Sequence, residues 1–196
     1  ESGNLYMEAV AQILAKTGGA AAVDDAYGKI GTSVFDVQIG RYEAWSLHDE
    51  SNDMLIVDAP TGAARYKANY ARGRIDSAGQ LALHVLPNDA FGLEVGFVYG
   101  QDSQDLGYGA DTDVNVVGAR PVILTKFGPV EFSAGADMMT ITPQNDSLEA
   151  EISKLGFGAR VKAAFSIVTL GINYASGTEG GTDTTGSDLD DQTTNS

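Results

Sequence analysis

The chain has 196 residues, with 12 Lys+Arg against 27 Asp+Glu and a formal charge of −15, which excludes a nucleic-acid binder that works by neutralising phosphates. With no cysteine it has no disulfide scaffold, thiolate zinc site or cysteine nucleophile, and His48 and His84 alone leave little room for a histidine-rich metal site or a His-based triad. Hydrophobic residues at 43% suit a folded chain, and 24 glycines, about 12% against a usual ~7%, weigh against a soluble enzyme.

Leu5, Met7, Ala9, Ala11 and Ile13 alternate with Tyr6, Glu8 and Gln12, the period of a strand. Residues 21–30 form a weaker strand, and Gly31-Thr32-Ser33 a turn. The next strand is strong, with Phe35, Val37 and Ile39 on one face and Asp36 and Gln38 on the other, and it ends at Gly40-Arg41. Alternation then stops from Tyr42 to Ala64. An aperiodic stretch of that length inside a β protein is functional or disordered. It holds Glu43, Asp49, Glu50, Asp53 and Asp58 and no Lys or Arg, whereas its flanks supply Arg41, Arg65, Lys67, Arg72 and Arg74.

Period two returns at Leu81, Leu83 and Val85. A turn at 87–92 leads to Leu93, Val95, Phe97 and Tyr99, alternating with Glu94, Gly96 and Val98. Val114 and Val116 open a segment running to Lys126, and Phe127-Gly128-Pro129 turns into Val130, Phe132, Ala134, Ala136 and Met138. Leu155 to Phe165 follows, then a short link at 166–167 and Leu170, Ile172 and Tyr174. Lys154, Arg160 and Lys162 fall on the polar beat of one strand; Glu94, Glu131 and Asp137 fall on the same beat of others. His84 sits on an inner face, where a hydrogen-bonded wall residue is expected.

Each segment has an apolar face and a face of small, polar or charged residues. The connections alternate between short and long. The long ones, 101–113, 142–151 and 177–196, are polar, free of Lys and Arg, and hold four, three and five acidic residues. No run approaches the roughly 18 apolar residues of a spanning helix. A tilted strand crosses the hydrocarbon with about 9–11 residues, and outer-membrane barrels place short turns at one end and long loops at the other. The expected fold is therefore all-β: an antiparallel transmembrane β-barrel with about nine strands in this chain. A soluble secreted sandwich that binds glycan or calcium through acidic loops shares much of this pattern.

If 42–64 folds into the barrel, its carboxylates face the flanking basic residues across a narrow gap, and such a transverse field selects polar solutes by size and charge. The alternative is a surface loop beside an ordinary salt-bridged strand.

The wording Ser33-Val-Phe-Asp-Val-Gln-Ile-Gly-Arg41, then a long acidic loop, an Arg-rich strand and Phe91-Gly92-Leu93 at a turn, resembles Gram-negative trimeric porins. Gln38-Ile-Gly-Arg-Tyr-Glu-Ala-Trp45 and Tyr70-Ala-Arg-Gly-Arg-Ile-Asp76 are most similar to the sugar-porin, raffinose-porin-like branch. The general pattern spans nearly the whole chain. The resemblance implies an outer-membrane homotrimer in which 42–64 is an inward constriction loop. Glu43, Asp49, Glu50, Asp53 and Asp58 become its acidic side, and Arg41, Arg65, Lys67, Arg72 and Arg74 the basic wall. Tyr42, Trp45, Tyr66 and Tyr70 become sugar-stacking candidates, with an interfacial aromatic girdle as the other reading of Tyr66 and Tyr70. Barrels of that family have roughly sixteen or more strands, and about nine cannot close around an inward loop. The chain is accordingly expected to be an internal fragment.

There is no Gly-rich phosphate loop, nucleophile elbow or zinc pattern, so neither catalysis nor a cofactor is expected. Asp111-Thr-Asp113 and Asp188-Leu-Asp190-Asp191 offer clustered carboxylates without EF-hand spacing, so calcium, or divalent ions shared with lipopolysaccharide, is a weak reading. The expected function is passive passage of small hydrophilic solutes or oligosaccharides through the outer membrane. A barrel that acts as an adhesin or phage receptor is the remaining alternative.

Overall fold

A computed structural model describes residues 4–15, 17–19, 21–45, 78–104, 112–144, 151–182 and 188–195. Alternation with Val, Ile, Phe and Tyr on the apolar beat favours extended chain, in which successive side chains fall on opposite faces. Ten strands result: β1 (Tyr6–Ala15), β2 (Ala21–Gly31), β3 (Phe35–Arg41), β4 (Ala78–Asn88), β5 (Phe91–Gln104), β6 (Thr112–Phe127), β7 (Val130–Pro143), β8 (Glu151–Phe165), β9 (Val168–Thr182) and β10 (Asp188–Asn195). They form one antiparallel sheet in which every strand pairs with its neighbours in sequence. Among the described residues there is no helix.

The ends of the sheet are unequal. Links of two or three residues join β2–β3, β4–β5, β6–β7 and β8–β9, whereas five or more separate the strands at the other end. This alternation follows the sequence expectation, but three boundaries do not. The links expected at 101–113 and 142–151 shrink to 105–111 and 144–150, because β5 to β8 run on beyond their apolar stretch. The segment 177–196, expected as a loop, instead completes β9 and supplies β10, paired from Asp188↔Thr182 to Asn195↔Ser176. The physical reason is common to all three. A ladder is held by main-chain bonds, which a polar sequence makes as well as an apolar one. Hydrophobic alternation therefore marks only the part of each strand that needs an apolar face. The turn expected at 87–92 is likewise only Asp89-Ala90, with Pro87 and Asn88 in β4 and Phe91 to Leu93 in β5. The main chain of Asp188-Leu-Asp190-Asp191 belongs to a strand, and no three His, Asp or Glu among the described residues are grouped to hold a metal.

The two faces are inverted relative to a water-soluble sheet. Outward lie Ile39, Phe97, Val117, Phe157, Val161 and Ile172, all exposed. Inward lie Asp36, Gln38, Gln80, His84, Glu94, Arg120, Ser133 and Asp137, all buried. The two-sheet sandwich does not describe these residues, which form one sheet with its apolar side turned out. Cross-strand register places Lys126, Glu131 and Lys162 in one inner row, and Ser133 opposite Arg160. Toward the long-linked end the inner face changes character: Val98, Val114, Val116, Met139, Ile141 and Ile152 form a buried apolar patch. The small, polar or charged face expected on every strand is thus found only in part.

Candidate functional site

At the end of β3 the chain leaves the sheet and turns inward. Gly40, at φ +128°, makes the departure possible: a Cβ there would sit 2.4 Å from the Ala26 carbonyl oxygen. Residues 42–45 then run back along the inner face of β4, level with Gln80 at Tyr42 and with His84 at Trp45. Gln80 holds Tyr42 from both sides. Its Nε2 donates to the Tyr42 carbonyl at 2.9 Å, and its Oε1 accepts from the Tyr42 amide at 3.4 Å. The Tyr42 ring packs edge-on against Tyr27, with centroids 6.1 Å apart, in a cluster with Ala44 and Ala82. Burial, and then the negative charge of Glu94, push its hydroxyl above the usual range for a phenol.

Trp45 is held by charge. Its amide donates to Glu94 Oε1 at 2.9 Å, and its carbonyl accepts from a guanidinium nitrogen of Arg120. Arg120 also donates to Glu94 Oε1 at 3.2 Å. The indole stacks on the His84 imidazole, with centroids 5.2 Å apart and planes 23° apart. Its far edge lies over Gly92, where a Cβ would come within 2.9 Å of Cη2; the absent side chain is what seats the ring.

His84 is the junction of this cluster. Nδ1 meets Asp36 Oδ1 at 2.6 Å and Nε2 meets Glu94 Oε2 at 3.0 Å. Only the doubly protonated ring donates at both nitrogens. Asp36 in turn accepts from the Tyr6 hydroxyl at 2.9 Å and lies 3.9 Å from Lys29. Register explains the alignment: Tyr6, Gly31, Asp36, His84 and Glu94 are successive cross-strand partners from β1 to β5. Gly31 puts no side chain in the row, so the Tyr6 phenol reaches across it. The result is a hydrogen-bonded line from β1 to β6, ending on the carbonyl of Trp45.

Below Trp45, at the short-turn end, the inner face opens into a cavity of about 680 Å³. Trp45, Asn88, Thr125, Lys126, Glu131 and Arg160 are among its lining. Lys126 and Glu131 pair there at 3.1 Å, half exposed. The chamber thus offers one aromatic ring and side chains of both charges.

Of the residues singled out from the sequence, Tyr42 and Trp45 lie on the inner face, and Glu43 between them is exposed. Arg41 closes β3 and donates from Nε to the Asp24 carbonyl of β2 at 3.0 Å. It falls on the beat of Phe35, Val37 and Ile39, with Ala26 of β2 as its cross-strand partner. Tyr42 is 2% exposed and packed on Tyr27, so its ring is covered. Asp49, Glu50, Asp53, Asp58, Arg65, Lys67, Tyr66, Tyr70, Arg72 and Arg74 lie outside the described residues, as does the rest of the 42–64 stretch beyond Trp45. Sequence reasoning missed Gln80, Glu94 and Arg120 as partners of the inward segment. One signal was present: His84 and Glu94 are equally spaced from Asp89 in the hairpin, which brings them face to face.

No known protein family matches the chain, and no curated protein does. Among solved structures it is similar to OmpTdeltaL8, a loop L8 deletion mutant of OmpT, an outer membrane protein of Vibrio cholerae. The two share 13% identity over 94% of this chain and 71% of that one, with a TM-score of 0.49.

Proposed function

We propose that the protein forms a water-filled channel in the outer membrane of a Gram-negative bacterium, through which small hydrophilic solutes pass down their gradients without catalysis. The supporting observation is the reversal of faces. A band of exposed Phe, Ile, Val and Leu covers the outside, and a buried polar row lines the inside. Lipid rewards the first, and only a closed set of strands satisfies main-chain groups within it. The segment that leaves β3 and lies along the inner wall narrows the space the strands enclose. Assembly as a homotrimer, with the long-linked end toward lipopolysaccharide, is part of the same proposal.

Passage of oligosaccharides is a second reading. It is favoured by Trp45, whose ring lines the 680 Å³ chamber beside polar side chains of both charges. Single-channel conductance in a planar bilayer, with and without raffinose or maltodextrin, tests both readings. Stable open steps are expected. Saturable block by the sugar supports the oligosaccharide reading, and steps indifferent to it leave a general channel. A folded, membrane-inserted protein without conductance overturns the proposal in favour of a receptor or anchor barrel.

A further inference from the structure

Beyond the end of β3, the main-chain groups of Tyr42 and Trp45 turn to side chains of the wall. A buried main-chain group without a partner costs about as much as a lost hydrogen bond. Here side chains of the wall fill the role. Gln80 takes both the N–H and the C=O of Tyr42, and Glu94 with Arg120 takes both those of Trp45. A carboxamide and an ion pair thus take main-chain groups at the two ends of the segment. The wall has its own support: β5 and β6 are paired without interruption from Phe91↔Thr125 to Gln104↔Thr112.

We propose, resting on the channel reading above, that Glu94 and Arg120, oriented by His84 and Asp36, are positioning residues that fix how deep the inward segment lies and so set the aperture beside Trp45. Glu94 is the pivot. Oε1 accepts from Trp45 and Arg120, and Oε2 accepts from His84. No neutral side chain of the same length can accept at both ends. Arg120 extends the grip to the Trp45 carbonyl, so both sides of one peptide unit are tied to a single ion pair. Gly92 completes the seat by leaving room for the indole.

Trp45 is the only tryptophan in the chain, so its fluorescence reports on this segment alone. The test uses the whole protein in phospholipid vesicles, with acrylamide quenching of Trp45 and single-channel conductance measured on the same preparations. Glu94→Gln removes a bond to a charged group and should shift the ratio of docked to undocked segment about tenfold. Quenching should rise, and the conductance step should change with it. If that variant does not assemble, Gly92→Ala displaces the indole without altering any charge and should move both readouts. Ile141→Val, in the apolar patch, should move neither. Quenching unchanged in Glu94→Gln and Gly92→Ala overturns the proposal. Quenching that rises while conductance stays at the wild-type value also overturns it, because the seat would then not set the aperture. A wild-type protein that conducts nothing overturns the channel reading instead, and the quenching result still decides whether Glu94 holds the segment.

Discussion

Two regions of one inner face are built from opposite materials. Around β3 to β6 the buried side chains are Asp36, His84, Glu94 and Arg120; further along β5 to β8 they are Val98, Val114, Val116, Met139, Ile141 and Ile152. Both sets obey the same alternation, and both are nearly inaccessible. The difference is what each can hold. The apolar patch packs by shape and gives a main-chain group nothing to bond, whereas the polar row offers partners to a segment that has left the sheet. Inward direction is thus a property of the strand, and capacity to dock a segment is a property of the residues placed there.

Substitutions separate the two regions, and whole-protein unfolding in lipid measures them. Arg120→Met leaves the buried Glu94 carboxylate without its guanidinium partner and should cost about 3–5 kcal/mol, the usual penalty for breaking a buried pair. A cost under about 1 kcal/mol would mean that the row is wetter than its burial implies. Ile141→Ala should cost about 2–5 kcal/mol by opening a cavity, with no change in Trp45 fluorescence. A fluorescence change there would join the two regions into one unit. Tyr6→Phe removes one hydrogen bond at the far end of the row and should cost about 1 kcal/mol. Lys126→Ala breaks a pair that is 56% and 41% exposed, and should cost no more than about 0.5 kcal/mol, an effect that salt diminishes.

Much of this contrast was legible in the sequence. Alternation placed Asp36 and Gln38 inward and Phe35, Val37 and Ile39 outward, as the burial has them. It also put Lys154, Arg160 and Lys162 on the face shared by Glu131 and Asp137, which the register of β7 with β8 bears out. His84 was expected as a hydrogen-bonded wall residue and makes two such bonds. What escaped was pairing at long range. Arg120 meets Trp45 across 75 positions, and no local pattern encodes that distance. β10 escaped for the opposite reason: its polar sequence has no periodicity to detect, although its main chain pairs as readily as any other.

The line of side chains from Tyr6 to Trp45 also constrains the order of assembly. Its bonds span 30, 48, 10 and 26 positions along the chain, and the last reaches 75. Contacts between distant positions form late, because the intervening chain must first be brought into register. Trp45 has no seat until β4, β5 and β6 stand side by side. The wall must therefore be built before the segment that narrows it can come to rest.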